Sequence, residues 1–198
     1  MIRKASILGI SLLLAGVVAM TAQDKKPLSP AGTASAMVGT KWGAPDKDGE
    51  RSATGGKWIE VTYSRPMLRG RTNIFGKGAD YGKTVYGGAP VWRAGANQTT
   101  KLTTEVPLMI GGKKVAAGSY DVFVELKEGA WTLILSTQPT QDKYDSNEKT
   151  KIWGSYGYDA KFDVARAPMT MMTPAVSIEQ FTIGFVDMTD AGGKLAMA

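Results

Sequence analysis

From residue 57 onward, apolar and polar side chains alternate in short runs that stop at Gly, Pro, Asn or Asp, and no stretch holds a 3.6-residue apolar period for three turns. Such runs predict strands, because successive side chains of a strand point to opposite faces. In residues 57–64, Ile59, Val61 and Tyr63 share one face while Glu60, Thr62 and Ser64 share the other. Residues 98–105 are Thr-rich and β-branched, and residues 108–110 run into Gly111-Gly112, a two-residue hairpin signal. In residues 120–126 the apolar set is Tyr120, Val122, Val124 and Leu126, opposite Asp121 and Glu125; after the turn Glu128-Gly129, Trp131, Leu133 and Leu135 form the returning strand. Residues 162–172 and 178–188 predict two further strands, the second with Phe181, Ile183 and Phe185 on one side. Pro168 pushes the first towards a sheet edge or bulge. A turn at 191–193, a final strand from 194, an early strand at 35–42 and a short one at 152–156 bring the total to roughly eight or nine. The pattern predicts an all-β fold, an antiparallel β-sandwich of jelly-roll-like form. Residues 140–151 are polar and charged and read as an exposed loop.

The N-terminus breaks this pattern. Arg3 and Lys4 precede an apolar run at 7–18, and small residues lead to Ala22, the order of a secretory signal peptide over residues 1–22. The run is too short to span a bilayer comfortably, and with no further long apolar run no transmembrane anchor is expected. Residues 23–32, polar with two prolines, read as a flexible spacer, leaving 33–198 as a single sandwich domain. The expected location is exported, periplasmic or extracellular.

Composition then removes whole classes of chemistry. The 198 residues contain no Cys and no His, so disulfides, thiolate nucleophiles, Cys/His zinc sites, His-ligated haem and a Ser-His-Asp triad are all excluded. No cofactor is expected. Without residues 1–22 the chain has 22 basic against 18 acidic residues, a modest excess with no long basic helix, and no nucleic-acid partner is expected.

The excess is concentrated in residues 65–97, a Gly-rich connection with seven glycines and no sustained alternation. Arg65, Arg69, Arg71, Lys77, Lys83 and Arg93 stand there against the single acid Asp80. Loops this long in compact domains are mostly functional or disordered, and Ile74, Phe75, Tyr81, Tyr86 and Trp92 argue for order, with Trp92 as a buried anchor. Arginine forks grip carboxylate or phosphate with two prongs, and Arg69 and Arg71 flank Gly70. Trp92-Arg93 sets an aromatic face beside a cation, which suits a sugar or uronic acid. The candidate ligand-binding set is Arg65, Arg69, Arg71, Tyr81, Lys83, Trp92, Arg93 and Asn97. The same arginines could instead snorkel over the sandwich or pair with strand acids.

At these residues the chain resembles the bacterial domain-of-unknown-function family 2911. The strings are Tyr63-Ser64-Arg65-Pro66, Arg69-Gly70-Arg71, Ile74-Phe75-Gly76, Tyr81-Gly82-Lys83 and, most specific, Val91-Trp92-Arg93-Ala94-Gly95-Ala96-Asn97. Gly112-Lys113-Lys114, Ala117-Gly118-Ser119-Tyr120 and Trp131-Thr132-Leu133-Ile134-Leu135 follow. The resemblance spans roughly residues 33–187, with an enlarged hairpin at 45–56 and an insertion at 86–90 as departures. It implies an exported β-rich domain and carries over no catalytic residue.

Other candidate chemistry is weaker. Asp121 and Glu125 lie four strand residues, about 13 Å, apart, beyond the carboxylate separations of retaining and inverting glycosidases. Asp46 to Glu50 lacks the frame of a calcium loop and reads as a turn, and Met169, Met171 and Met172 read as packing rather than copper ligands. Three functions stay open. The leading one is a non-catalytic module binding an anionic glycan or phosphate-bearing small molecule through the Arg/aromatic loop. The others are a structural or assembly protein of the cell envelope, and a His-independent glycosidase or polysaccharide lyase using Tyr81 and Arg93. The sequence sets no oligomeric state.

Overall fold

The computed structural model describes residues 27–189 and 191–198. The expected leader, residues 1–22, and the first four residues of the expected spacer lie outside them. No helix among the described residues is long and apolar enough to cross a membrane.

The fold is all-β and sandwich-like. Among the described residues, ten strands form one six-stranded antiparallel sheet, in the order β1-β2-β3-β6-β7-β8, and two hairpins, β4-β5 and β9-β10. Their bounds are β1 Ala31–Pro45, β2 Arg51–Ser64, β3 Thr100–Thr104, β4 Leu108–Ile110, β5 Lys113–Val115, β6 Gly118–Glu125, β7 Thr132–Ser136, β8 Asp163–Pro168, β9 Ile183–Thr189 and β10 Gly192–Met197. The Gly111-Gly112 and Glu128-Gly129 turns join paired strands as expected. Pro168 ends the edge strand β8, where its missing N–H breaks no ladder.

Several expected bounds move. β1 is longer than residues 35–42 and starts inside the expected spacer, because Ala31 already pairs with Ser64. No strand forms at 152–156: Gly154 and Gly157 have left-handed backbones, and only a single parallel bridge, Thr140 to Ile152, remains. The 45–56 segment closes the β1-β2 hairpin, its tip held by Asp46 Oδ1, which accepts the amides of Asp48 and Glu50, the turn predicted in place of a calcium loop.

Strand register divides the six-stranded sheet into two unlike faces. One face lines up Val61, Leu102 and Tyr120, then Thr100, Val122, Leu135 and Ala165. Residues 65–97 and the β9-β10 hairpin cover it, and the main apolar core lies between. On the opposite face the same ladders align Thr62, Lys101, Asp121, Ser136 and Asp163, a polar row across five strands. Beside it Phe123, Ile134 and Arg166 form a second row. Phe123 and Ile134 are fully buried against Val91, Ile152 and Tyr158, so this face is covered too, by residues 137–159 together with Val91.

Candidate functional site

The structure distributes the eight sequence-predicted site residues among four places. Trp92 is the anchor of its loop: its backbone pairs with Val124 in both directions, at 2.9 and 2.8 Å, and its side chain is only 5% exposed. Its ring centre lies 5.9 Å from Phe75, 6.1 Å from Trp131 and 5.2 Å from Phe181, and its Nε1 donates to the Gly95 carbonyl at 3.1 Å. Tyr81 joins the same cluster, stacked on Phe75, with its hydroxyl accepting from Trp131 Nε1 at 2.8 Å.

Arg65, Arg69 and Arg71 form a second group, the first two against residues 179–182 and the third folded back on its own segment. Arg65 donates to the Phe181 carbonyl and Thr182 Oγ1, both at 3.4 Å, and Arg71 to the carbonyls of Leu68 at 2.9 Å and Met67 at 2.6 Å. Arg69 has a left-handed backbone, φ 51°, and its amide donates to Glu179 Oε1 at 2.7 Å. No hydrogen bond to its guanidinium is found among the described residues. The Arg65 and Arg71 side chains therefore tie main chain together, and the three guanidinium groups share no common partner among the described residues. Lys83 opens a one-turn helix, Lys83–Tyr86, and is exposed and paired with Asp80 at 2.7 Å.

Arg93 and Asn97 occupy the fourth place, where the two face-covering loops meet. Asn97 takes a left-handed φ of 62°, which turns its carbonyl to accept from Arg93 Nη1 at 2.8 Å. The guanidinium lies over the ring of Tyr156, 5.0 Å from its centre. A side chain at Gly154 would run into that guanidinium, so only glycine permits the approach. Buried Thr99 locks the seam by donating to the Gly154 carbonyl at 2.7 Å.

Along the seam runs an aromatic and polar surface. Tyr156 is exposed, and Tyr144, 61% exposed, packs edge-on to Trp153 with ring centres 5.7 Å apart. A cleft of about 190 Å³ adjoins it, lined by Gly32, Thr33 and Thr62 of the sheet and by Gln98, Thr99, Lys101 and Asp142. Lys101 reaches Asp142 at 3.1 Å and Asp121 at 3.8 Å.

Beneath the cleft the polar row is held from above. Asp121, 7% exposed, accepts from Thr140 Oγ1 at 2.9 Å through both carboxylate oxygens. Burial pushes its carboxyl up to about 6, against the opposing pull of Lys101 and Thr140. Further along, Tyr158 donates to Asp163 at 2.7 Å, Arg166 bridges Asp163 and Glu125 at 2.8 and 2.9 Å, and burial together with Asp163 raises the Tyr158 hydroxyl above its usual range. Asp121 and Glu125, the one carboxylate pair weighed from sequence, thus face different partners, and no hydrogen bond among the described residues joins Tyr81 to Arg93.

Sequence reasoning passed over Tyr144, Trp153, Tyr156 and Lys101. Their spacing carries no period, and the first three sit where the chain was expected to form an exposed loop and a short strand. The available signal was Phe123: an aromatic residue between Asp121 and Glu125 on the supposedly wet face requires a cover on that side.

A family model described as a protein of unknown function, DUF2911, matches residues 45–198. The match begins at the last residue of β1 and takes in both loops of the seam. No curated protein and no solved structure matches the chain.

Proposed function

The chain belongs to the DUF2911 family, and we propose that this member is an exported, non-catalytic module that binds an anionic, sugar-like ligand at the seam between its two covering loops. The observation that carries this reading is the Arg93 guanidinium laid over the exposed ring of Tyr156. Exposed aromatic rings offer flat apolar surface to the C–H face of a sugar, and an arginine fork beside them selects a carboxylate. Lys101 and Asp142 add a donor and an acceptor suited to hydroxyl groups. The cleft is smaller than the roughly 300 Å³ of pockets that engulf a ligand, so one sugar unit enters it and the rest lies along the rings. Relative to the expectation from sequence, the site keeps Arg93 and Asn97 and gives up the grouping of Arg65, Arg69 and Arg71.

A second reading, a structural protein of the cell envelope, draws support from Arg65 and Arg69, whose contacts fasten residues 65–69 to residues 179–182. Thermal melting with an oligouronate, a neutral glucose oligomer and inorganic phosphate separates the two, since a ligand specific to the folded state raises the melting temperature. The binding reading expects the oligouronate to act most strongly. No shift with any of the three contradicts it. Export rests on the order of Arg3, Lys4, the apolar run and Ala22; mass spectrometry of the native protein is expected to find a chain starting near Gln23, and an intact Met1 contradicts it.

A further inference from the structure

The two edges of the six-stranded sheet are finished differently. β8 is six residues long, carries Asp163 and Arg166, ends in Pro168 and is overlaid by the β4-β5 hairpin, where Gly111 sits so close to the Arg166 carbonyl that no side chain fits. Charge, proline and a cover are the usual protections of a sheet edge. β1 has neither charge nor proline over the ten residues Ala31 to Thr40, and β9, which packs against it, makes no backbone hydrogen bond to it. Among the described residues, the backbone of this stretch bonds only to β2, and its outward N–H and C=O groups find no partner among them.

The flank of this edge is apolar. β3 pairs with β2 from Ile59 to Thr62, Glu105 extends the contact to the Trp58 backbone, and beyond Trp58 no third strand among the described residues pairs with the β1-β2 hairpin. Met37 and Trp58 oppose each other on the face away from Ala36 and Ile59, with Trp58 47% exposed, and Trp42 further out is 64% exposed.

We propose that β1 pairs antiparallel with β1 of a second copy of this chain, joining two six-stranded sheets into one across a two-fold axis. A two-fold pairing sets the same strand against itself, so a charge near the axis would meet its own copy; an uncharged strand is what this partner requires. An axis at Ser35 opposes Ala31 to Gly39 and Met37 to Thr33, uncharged against uncharged along the whole contact. Each strand then satisfies the other's open backbone groups, and Thr33 of the second copy covers part of Met37. The pairing consumes the edge of both copies, so assembly stops at a dimer.

Sedimentation equilibrium of the purified chain across nanomolar to near-millimolar concentration tests this, with Ser35→Lys and Ser35→Thr alongside. Ser35 is exposed, so both variants are expected to keep the wild-type circular dichroism. The proposal expects a monomer–dimer equilibrium that Ser35→Lys weakens by about tenfold or more and Ser35→Thr leaves in place. It is overturned by a monomer throughout the range, or by a dimer indifferent to Ser35→Lys. Amide exchange adds a further test: protection of the outward β1 amides in a monomer assigns the edge to the chain's own preceding residues and also overturns it.

Discussion

The two faces of the central sheet are covered by loops of unlike chemistry. Residues 65–97 press Phe75, Tyr81 and Trp92 onto an apolar sheet face, whereas residues 137–159 lie over the polar row from Asp121 to Asp163 and are laced by side-chain hydrogen bonds. In the second loop Gln138 donates to the Gly157 carbonyl and accepts from the Asp159 amide, and Gln141 does the same between Lys151 and Asp145. Burial of large side chains is non-directional and fills space; a hydrogen-bonded cover fixes groups at set angles and holds polar side chains at its surface. Residues 65–92 suit stability, and the second loop, with Arg93 and Asn97 at the seam, suits recognition.

The sharpest way to break this division is truncation of the aromatic anchor. Trp92→Ala is expected to cost about 3–5 kcal/mol and to bring the domain near global unfolding, read by chemical denaturation. If Trp92→Ala is silent, the first loop does not hold the fold.

The polar face answers to pH instead. Asp121 in the folded chain titrates near 6, above the roughly 3.9 of an unfolded Asp, so between those values the folded state holds a proton that the unfolded state has lost. Stability is therefore expected to fall as pH rises from about 4 to 7, by about 2–3 kcal/mol from this group, and Asp121→Asn is expected to flatten that slope. An unchanged slope in the Asn variant would place the titration elsewhere.

Smaller effects mark the seam and the arginines. Thr99→Val removes the buried bond to Gly154 and is expected to cost about 1–2 kcal/mol. Arg71→Ala, which releases two carbonyls at an exposed position, is expected to cost no more than about 1 kcal/mol, and Arg69→Ala to stay within about 0.5 kcal/mol. A loss at Arg69 as large as at Trp92 would make it a structural tie.

The apolar half of this comparison was legible in the sequence. Alternation in Ile59-Val61-Tyr63 and Val122-Val124 marked one core face, and five large aromatic or aliphatic side chains in residues 65–97 marked its cover. The polar half was not, because Gln138, Thr140 and Gln141 are buried by hydrogen bonds to specific partners, which leave no periodic trace. The arginines misled for a related reason: proximity in sequence does not fix which carbonyl each will reach, and Arg65 and Arg71 fold back on main chain while Arg93 turns to Tyr156.

Amide hydrogen exchange of the whole chain with and without an oligouronate tests the division most directly, since it reports where a ligand adds protection. The account predicts added protection in residues 93–99 and 140–157, with residues 65–82 unchanged. Added protection in residues 65–82, or none anywhere, contradicts it.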